Sequence, residues 1–335
     1  MRSSAPVPPR RILPLILVVV AASLFSGCGA ARYSGPPLKM RLGIQPGPQS
    51  ALIWVAEEEG LFTRNGLTVT LRKYDAGFNA VKGLGANESD VATCSEFAFV
   101  ANAYSNPDLR ILASIATGDT TSLVARRDRG ISSPASLADK RVAVTPGVAN
   151  QFFVGRFLTL HGMGLNDVTL VSADEQSAKK AVVEGAVDAA VLFEPDVKEA
   201  ADELGPNGYV IDVQSGQDYF WLLSSTGSYV KANKEAVRRL LATMVEAERF
   251  TDAHPAAAQQ DLRRGSRLSL AYVRYVWPKF TFAVRLGQPL VLAMEDEARW
   301  TVDNGLFGAK TVPDYLDYVY LEGLQQVAPE VVTIY

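Results

Sequence analysis

The chain reads as an α/β protein made of two parallel-sheet lobes joined by a two-strand hinge, with C-terminal helices packing on the first lobe. Three observations predict this. Strand-like and helix-like apolar patterns alternate from about residue 40 to residue 224. The landmarks of that alternation recur: Pro46-Gly47 and Pro146-Gly147 lie 100 residues apart, while Gly66 and Gly164, Asp90 and Asp188, and Glu96 and Glu194 each lie 98 apart. Beyond residue 224 the chain turns helical, with no third copy. A strand, helix, strand order with short connections favours right-handed crossovers and hence parallel sheets.

The elements follow in order. Met40 to Gln45 and Arg141 to Thr145 are short apolar strands that stop at the Pro-Gly pairs. A helix follows each, with Leu52, Val55, Ala56 and Leu61 in the first and Phe153, Phe157, Leu158 and Leu160 in the second at roughly helical spacing. Both are expected to close on Gly66-Leu67 and Gly164-Leu165, glycine supplying a left-handed cap. β-rich runs come next, Thr68 to Leu71 and Val168 to Val171, then helices Asn79 to Leu84 and Gln176 to Glu184, then strands opening at Asp90 and Asp188. Tyr219 to Ser224 is a further apolar run. Asn233 is expected to cap a helix from Lys234 to Phe250, with more helices at Ala256 to Ser269, Leu290 to Asn304 and Pro313 to Leu324. The crossings between lobes are expected near Gly118 to Leu123 and Trp221 to Gly227, giving lobe one as residues 39–120 plus 225–335 and lobe two as 121–224.

The first 27 residues read as a signal peptide: Arg2, Arg10 and Arg11 precede the apolar run Ile12 to Phe25, too short to span a bilayer comfortably. Leu24-Phe25-Ser26-Gly27-Cys28 resembles a bacterial lipobox, which makes Cys28 the lipid-attachment residue; ordinary signal cleavage is the alternative. Residues 28–38, with Gly35-Pro36-Pro37, read as a tether.

Composition excludes several classes. Apolar residues are 48% and charged ones 21% of the 335, the balance of a chain that buries a core and not of a disordered one. With 33 Lys and Arg against 36 Asp and Glu and no basic run, nucleic acid is excluded as a partner. Two histidines, His161 and His254, and two cysteines, Cys28 and Cys94, are too few for a disulfide framework, a Cys/His zinc cluster or a His-based triad. No metal, cofactor or catalytic residue is assigned.

In open parallel sheets a ligand sits beyond the carboxyl ends of the strands. The repeated corners fall there: Gln45, Ser50, Thr145, Asn150, Ser95-Glu96-Phe97 and Phe193-Glu194-Pro195. Ser50 and Asn150 stand near helix N-termini, where the dipole favours an anionic group; plain capping explains them equally well. Trp54, one turn into the first helix, either stacks on a ligand or fills core. Glu96 and Glu194 follow apolar strands, where a carboxylate needs a partner: ligand N–H groups, or a salt bridge.

Gln45, Ala56-Glu57-Glu58-Glu59-Gly60-Leu61-Phe62 followed by Asn65-Gly66-Leu67, Asp90 to Phe97, Ile131 to Lys140 and Phe193-Glu194-Pro195 together resemble the nitrate/sulfonate/taurine branch of ABC-transporter substrate-binding proteins. The resemblance covers residues 39 to about 250. It implies a type II periplasmic-binding fold and a monomeric, non-enzymatic receptor outside the cytoplasmic membrane or in the periplasm, anchored to it by lipid. Such a receptor closes on a small polar or zwitterionic solute, such as an alkanesulfonate or taurine, and serves an ABC permease and its ATPase. Binding, or synthesis, of a thiamine pyrimidine precursor is the alternative, because the same fold resembles a pyrimidine synthase that consumes an active-site histidine. A surface interaction module with a degenerate cleft is a third reading.

Overall fold

Alternation of apolar side chains along short strands builds two sheets in the computed structural model, which describes Met1 and residues 33–146 and 148–334. The signal run, Cys28 and the first part of the tether lie outside the described residues, as does Gly147. The first sheet contains β1 (Leu38–Ile44), β2 (Leu67–Lys73), β3 (Val91–Ser95) and β4 (Leu109–Gly118). The second contains β5 (Thr121–Arg126), β6 (Arg141–Val144), β7 (Thr169–Ser172), β8 (Ala189–Phe193) and β9 (Gly208–Asp212). The chain then returns to the first sheet with β10 (Tyr219–Thr226) and β11 (Phe280–Thr281), giving the orders β11-β4-β10-β3-β1-β2 and β7-β6-β8-β5-β9.

The second sheet shows why both faces must be covered. Leu123, Ala125, Val142, Val144, Ala189 and Val191 point to one apolar cluster, and the intervening Val124, Ala143, Ala190 and Leu192 point to another, the two-residue period of a pleated strand buried on both sides. Helices supply the covers: α1 (Ala51–Glu58), α2 (Leu61–Arg64), α3 (Gly77–Gly85) and α4 (Glu96–Ala103) around the first sheet; α5 (Ala149–Leu160), α6 (Glu175–Glu184) and α7 (Asp196–Leu204) around the second. The C-terminal part adds α8 (Gly227–Ala232), α9 (Lys234–Ala253), α10 (Pro255–Ser266), α11 (Leu270–Val276), α12 (Gln288–Asp303) and α13 (Leu321–Gln325). α9 and α10 pack on α1, as expected for helices returning to the first lobe. α12 packs on α4 and also reaches α5, where Trp300 meets Phe152 edge-on at 5.7 Å.

Several expectations are corrected. The sheets are mixed and not parallel throughout: β10 runs antiparallel to both β3 and β4, and β5 antiparallel to β8 and β9. A strand that arrives from the facing lobe enters at the carboxyl ends of its new neighbours, so it must run against them. The return crossing is residues 213–218, because β10 is a central strand of the first sheet; Trp221 to Gly227 is not a linker, and residues 219–224 belong with lobe one. Gly66 ends α2 in the left-handed region (φ +68°), but Gly164 is extended and Gly162 (φ +72°) takes that role after α5. Leu160 is 58% exposed and outside the core. Asn233 precedes α9 without capping it, its amide donating to the Tyr229 carbonyl at 3.0 Å. In place of a helix over 313–324 stand a 3-10 turn at Tyr315–Tyr318 and the short α13.

The crossings, residues 119–120 and 213–218, are buckled together by one side chain. The Gln214 Oε1 accepts from the Thr120 and Thr121 N–H groups at 2.7 and 2.8 Å, while its Nε2 donates to the Gly118 and Gln217 carbonyls at 2.9 and 3.0 Å. This buried amide satisfies four backbone groups where the chain leaves sheet pairing.

Candidate functional site

A cavity of about 220 Å³ opens where the carboxyl ends of the two sheets meet, the place expected of a ligand in an open α/β sheet. Its first-sheet side comprises the turn Gln45 to Gln49, the start of α3 and Ser95, Tyr219 and Trp221. Val148-Ala149, at the start of α5, and Phe193-Glu194-Pro195 contribute from the second sheet, and Leu268, Tyr272, Val276 and Phe280 from the C-terminal segment.

Two sets of polar groups stand out, and Glu175 at the start of α6 adds a further carboxyl to the lining, raised mainly by burial. α3 and α5 begin at the cavity with Ala76 and Val148 as N-caps, apolar residues whose side chains accept nothing from the first turn. Their leading N–H groups and dipoles therefore favour an anion. One of them, the Gly77 N–H of α3, is already taken by Gln45 Oε1 at 3.1 Å, which leaves the later N–H groups of that turn. The other set is opposite in character. Glu194, 2% exposed at its side chain, uses Oε1 to pair with Lys279 Nζ and to accept from the Tyr275 hydroxyl, each at 3.0 Å. Its Oε2 is buried without a partner, and so is the Tyr272 hydroxyl. A donor and an acceptor thus remain unsatisfied among cavity-lining side chains, and a buried unpaired polar atom is costly until something meets it. Among the described residues no lysine or arginine lines the cavity.

Of the residues singled out from sequence, Gln45, Ser95, Phe193, Glu194 and Pro195 line the cavity, whereas Ser50, Trp54, Glu96, Phe97, Thr145 and Asn150 do not. Ser50 is wholly buried, donating to the Gln45 carbonyl at 2.9 Å and accepting from the Trp221 indole at 3.2 Å, so it braces the wall from behind. Trp54 is core between α1 and α10, with Gly265 close against its ring. Asn150 ties α5 to β8 through the Val191 carbonyl at 3.2 Å, and the Thr145 hydroxyl is buried outside the cavity. Phe97 enters the core of the second sheet, 6.1 Å from Phe152.

Glu96 is completely buried near the Phe220 backbone, Asp218 and Glu297 of α12, and among the described residues it has no ion-pair partner. The expectation that Glu96 and Glu194 face one ligand is therefore corrected: the repeat places both after a strand, but α12, which has no counterpart in the second lobe, covers only Glu96. Burial, with the negative charge of Asp218 adding to it, pushes the Glu96 carboxyl up to about 8, and burial with the Glu96 charge pushes the Glu297 carboxyl upward too. Tyr272, Trp221 and Gln49 escaped sequence reasoning. Tyr272 lies on a seven-residue helix with no counterpart in the repeat, and Trp221 on a strand taken for a linker.

A family model described as "NMT1/THI5 like" matches residues 47–258. The chain belongs to the NMT1/THI5-like family. Among relatives, a provisionally named binding protein of Brucella abortus (strain 2308) is 26% identical over 207 residues, 60% of this chain and 63% of that protein. A protein of Bacillus subtilis (strain 168), provisionally named as aliphatic sulfonates-binding, is 28% identical over 189 residues, 54% of this chain and 56% of that one. These matches span less than two thirds of either relative. The periplasmic aliphatic sulphonate binding protein SsuA from Escherichia coli superposes with a TM-score of 0.73 over 85% of this chain and 98% of its own, at 17% identity. This NMT1/THI5-like chain thus has the periplasmic-binding-protein fold, in agreement with its resemblance to the nitrate/sulfonate/taurine branch.

Proposed function

We propose that the chain is the extracytoplasmic solute-binding component of an ABC importer, capturing a small polar or zwitterionic solute such as an alkanesulfonate or taurine by lobe closure and delivering it to a permease and its ATPase. The observation that carries this reading is the pairing, in one cavity between two sheets, of two helix N-termini whose cap residues, Ala76 and Val148, accept nothing from the first turn with an unmatched carboxylate oxygen. The first suits an anionic head and the second an N–H donor; a zwitterion meets both. The sulfonate-binding names of relatives and structural neighbours support the same class. The reading is of binding without chemistry: Cys94 is sealed in the first core with its thiol pushed up to about 12 by burial, and neither histidine lines the cavity. A membrane anchor through lipid on Cys28 and a monomeric state belong to the same proposal.

A second reading has one observation in its favour. Phe78, Phe193, Tyr219, Trp221 and Phe280 surround the cavity, walls suited to a flat ring, so an aminopyrimidine donating to Glu194 is the competing ligand. A thermal-shift screen of taurine, ethanesulfonate, nitrate and a thiamine pyrimidine precursor separates the two. A true ligand at a hundred times its dissociation constant adds about 2.7 kcal/mol of stability; stabilisation by none of the four would remove the sulfonate and pyrimidine readings together. For the anchor, Cys28→Ser is expected to release the protein from membranes and to abolish fatty-acid labelling, and equal labelling of both forms would refute it.

A further inference from the structure

The carboxylate of Glu194 is held from two directions. Its backbone N–H donates to the Thr120 carbonyl at 3.0 Å, and the adjacent hinge residue, Asp119, donates its N–H to the Lys279 carbonyl at 3.0 Å. Glu194 and Lys279 are thereby both anchored to the outgoing crossing, one from each lobe. Their side chains close the loop with the 3.0 Å ion pair, and Tyr275 adds its hydroxyl to the same Oε1. Both contacts fall on one oxygen and leave the other buried and unpartnered, on a residue that lines the cavity.

We infer that Lys279 and Tyr275 are positioning residues: they hold Oε1 of Glu194, a cavity-lining residue joined to the hinge, so that Oε2 is left as its free acceptor. Lys279 supplies the counter-charge that a buried carboxylate requires, and Tyr275 fixes the rotation of the carboxyl group. The other groups around it cannot substitute. Lys198 stacks on the Tyr275 ring at 5.3 Å, but its own ammonium pairs with Asp202 at 2.6 Å. Tyr272 carries no charge, and Asp119 lies on the Lys279 side with the same sign as Glu194. This deepens the proposed function, since a solute's N–H group would meet a carboxylate oxygen whose position the protein itself fixes.

The test uses the full chain without solute, so its outcome is separate from that of the ligand screen. Thermal unfolding is followed from pH 5.5 to 8 for wild type, Lys279→Met, Lys279→Arg and the double variant Glu194→Gln, Lys279→Met. Without its cation the buried Glu194 binds a proton more tightly folded than unfolded, so stability falls as pH rises. Lys279→Met is expected to lose about 3 °C or more beyond the wild-type change over that range, with Lys279→Arg restoring the wild-type profile and the double variant removing the extra slope. A loss in Lys279→Met that is equal at every pH, or no loss, would make Lys279 mere packing and overturn the inference. Tyr275 is 38% exposed, so Tyr275→Phe keeps the fold if Lys279→Met does not; it should show the same slope more weakly, and a wild-type profile in it overturns the role of Tyr275.

Discussion

At Glu96 two influences oppose each other on one carboxyl. It is the first residue of α4, where the helix dipole and the backbone N–H groups favour the charged form; complete burial beside the Glu297 carboxyl favours the neutral form. Burial wins, and the pair holds a proton at neutral pH. An acid bound more tightly to its proton in the fold than in the unfolded chain contributes stability below its unfolded value, near 4.3, and loses it as pH rises to about 8. The slope from one such group is about 1.4 kcal/mol per pH unit. Urea unfolding at pH 5, 6.5 and 8 should therefore show the wild type falling more steeply than Glu297→Gln. Parallel profiles would mean that this pair is not protonated in the fold. The two glutamates differ in company as well as in cover: Glu194 has a lysine beside it where Glu96 has another acid.

Crossing strands need their backbone groups satisfied once they leave a sheet, and here one amide performs that task for both crossings. Replacing Gln214 by Leu would strand the Thr120 and Thr121 N–H groups and the Gly118 and Gln217 carbonyls, at about 1–3 kcal/mol for each that water cannot reach. Gln214→Glu keeps the two acceptances and loses the two donations, so its loss should be intermediate. Denaturant unfolding checks the order: wild type, then Gln214→Glu, then Gln214→Leu. A Leu variant within about 0.5 kcal/mol of wild type would show that the amide is dispensable. Because Thr120 also accepts from Glu194, the buckle and the cavity wall share one hinge residue.

For the whole molecule, the proposed lobe closure is a statement about differential binding: a solute shifts the lobes together only if it favours the closed arrangement. The short crossings at 119–120 and 213–218 can absorb such a rotation, as hinges of a few residues do. Solution scattering with and without a solute that stabilises the protein in the thermal screen should show the radius of gyration fall. Tight binding with an unchanged radius would assign the cavity to a single rigid state.

The amino-acid sequence by itself determined the α/β class, the two-copy order of elements and the carboxyl-end corners, because these rest on local periodicity and on spacing repeated along the chain. It placed Gln45 and Glu194 at the cavity for the same reason. Tertiary structure decided what a local pattern cannot carry. Strand direction in β5 and β10 depends on which end of a sheet the returning chain enters. Whether Ser50, Asn150 and Glu96 face solute or core depends on what lies over them, and for Glu96 that is α12, some two hundred residues later. Lys279, Tyr272, Tyr275 and Gln214 carried no legible signal, since each acts through a partner distant in sequence; burial, which sets both the cost of their unpaired groups and the strength of their contacts, exists only once the chain has folded.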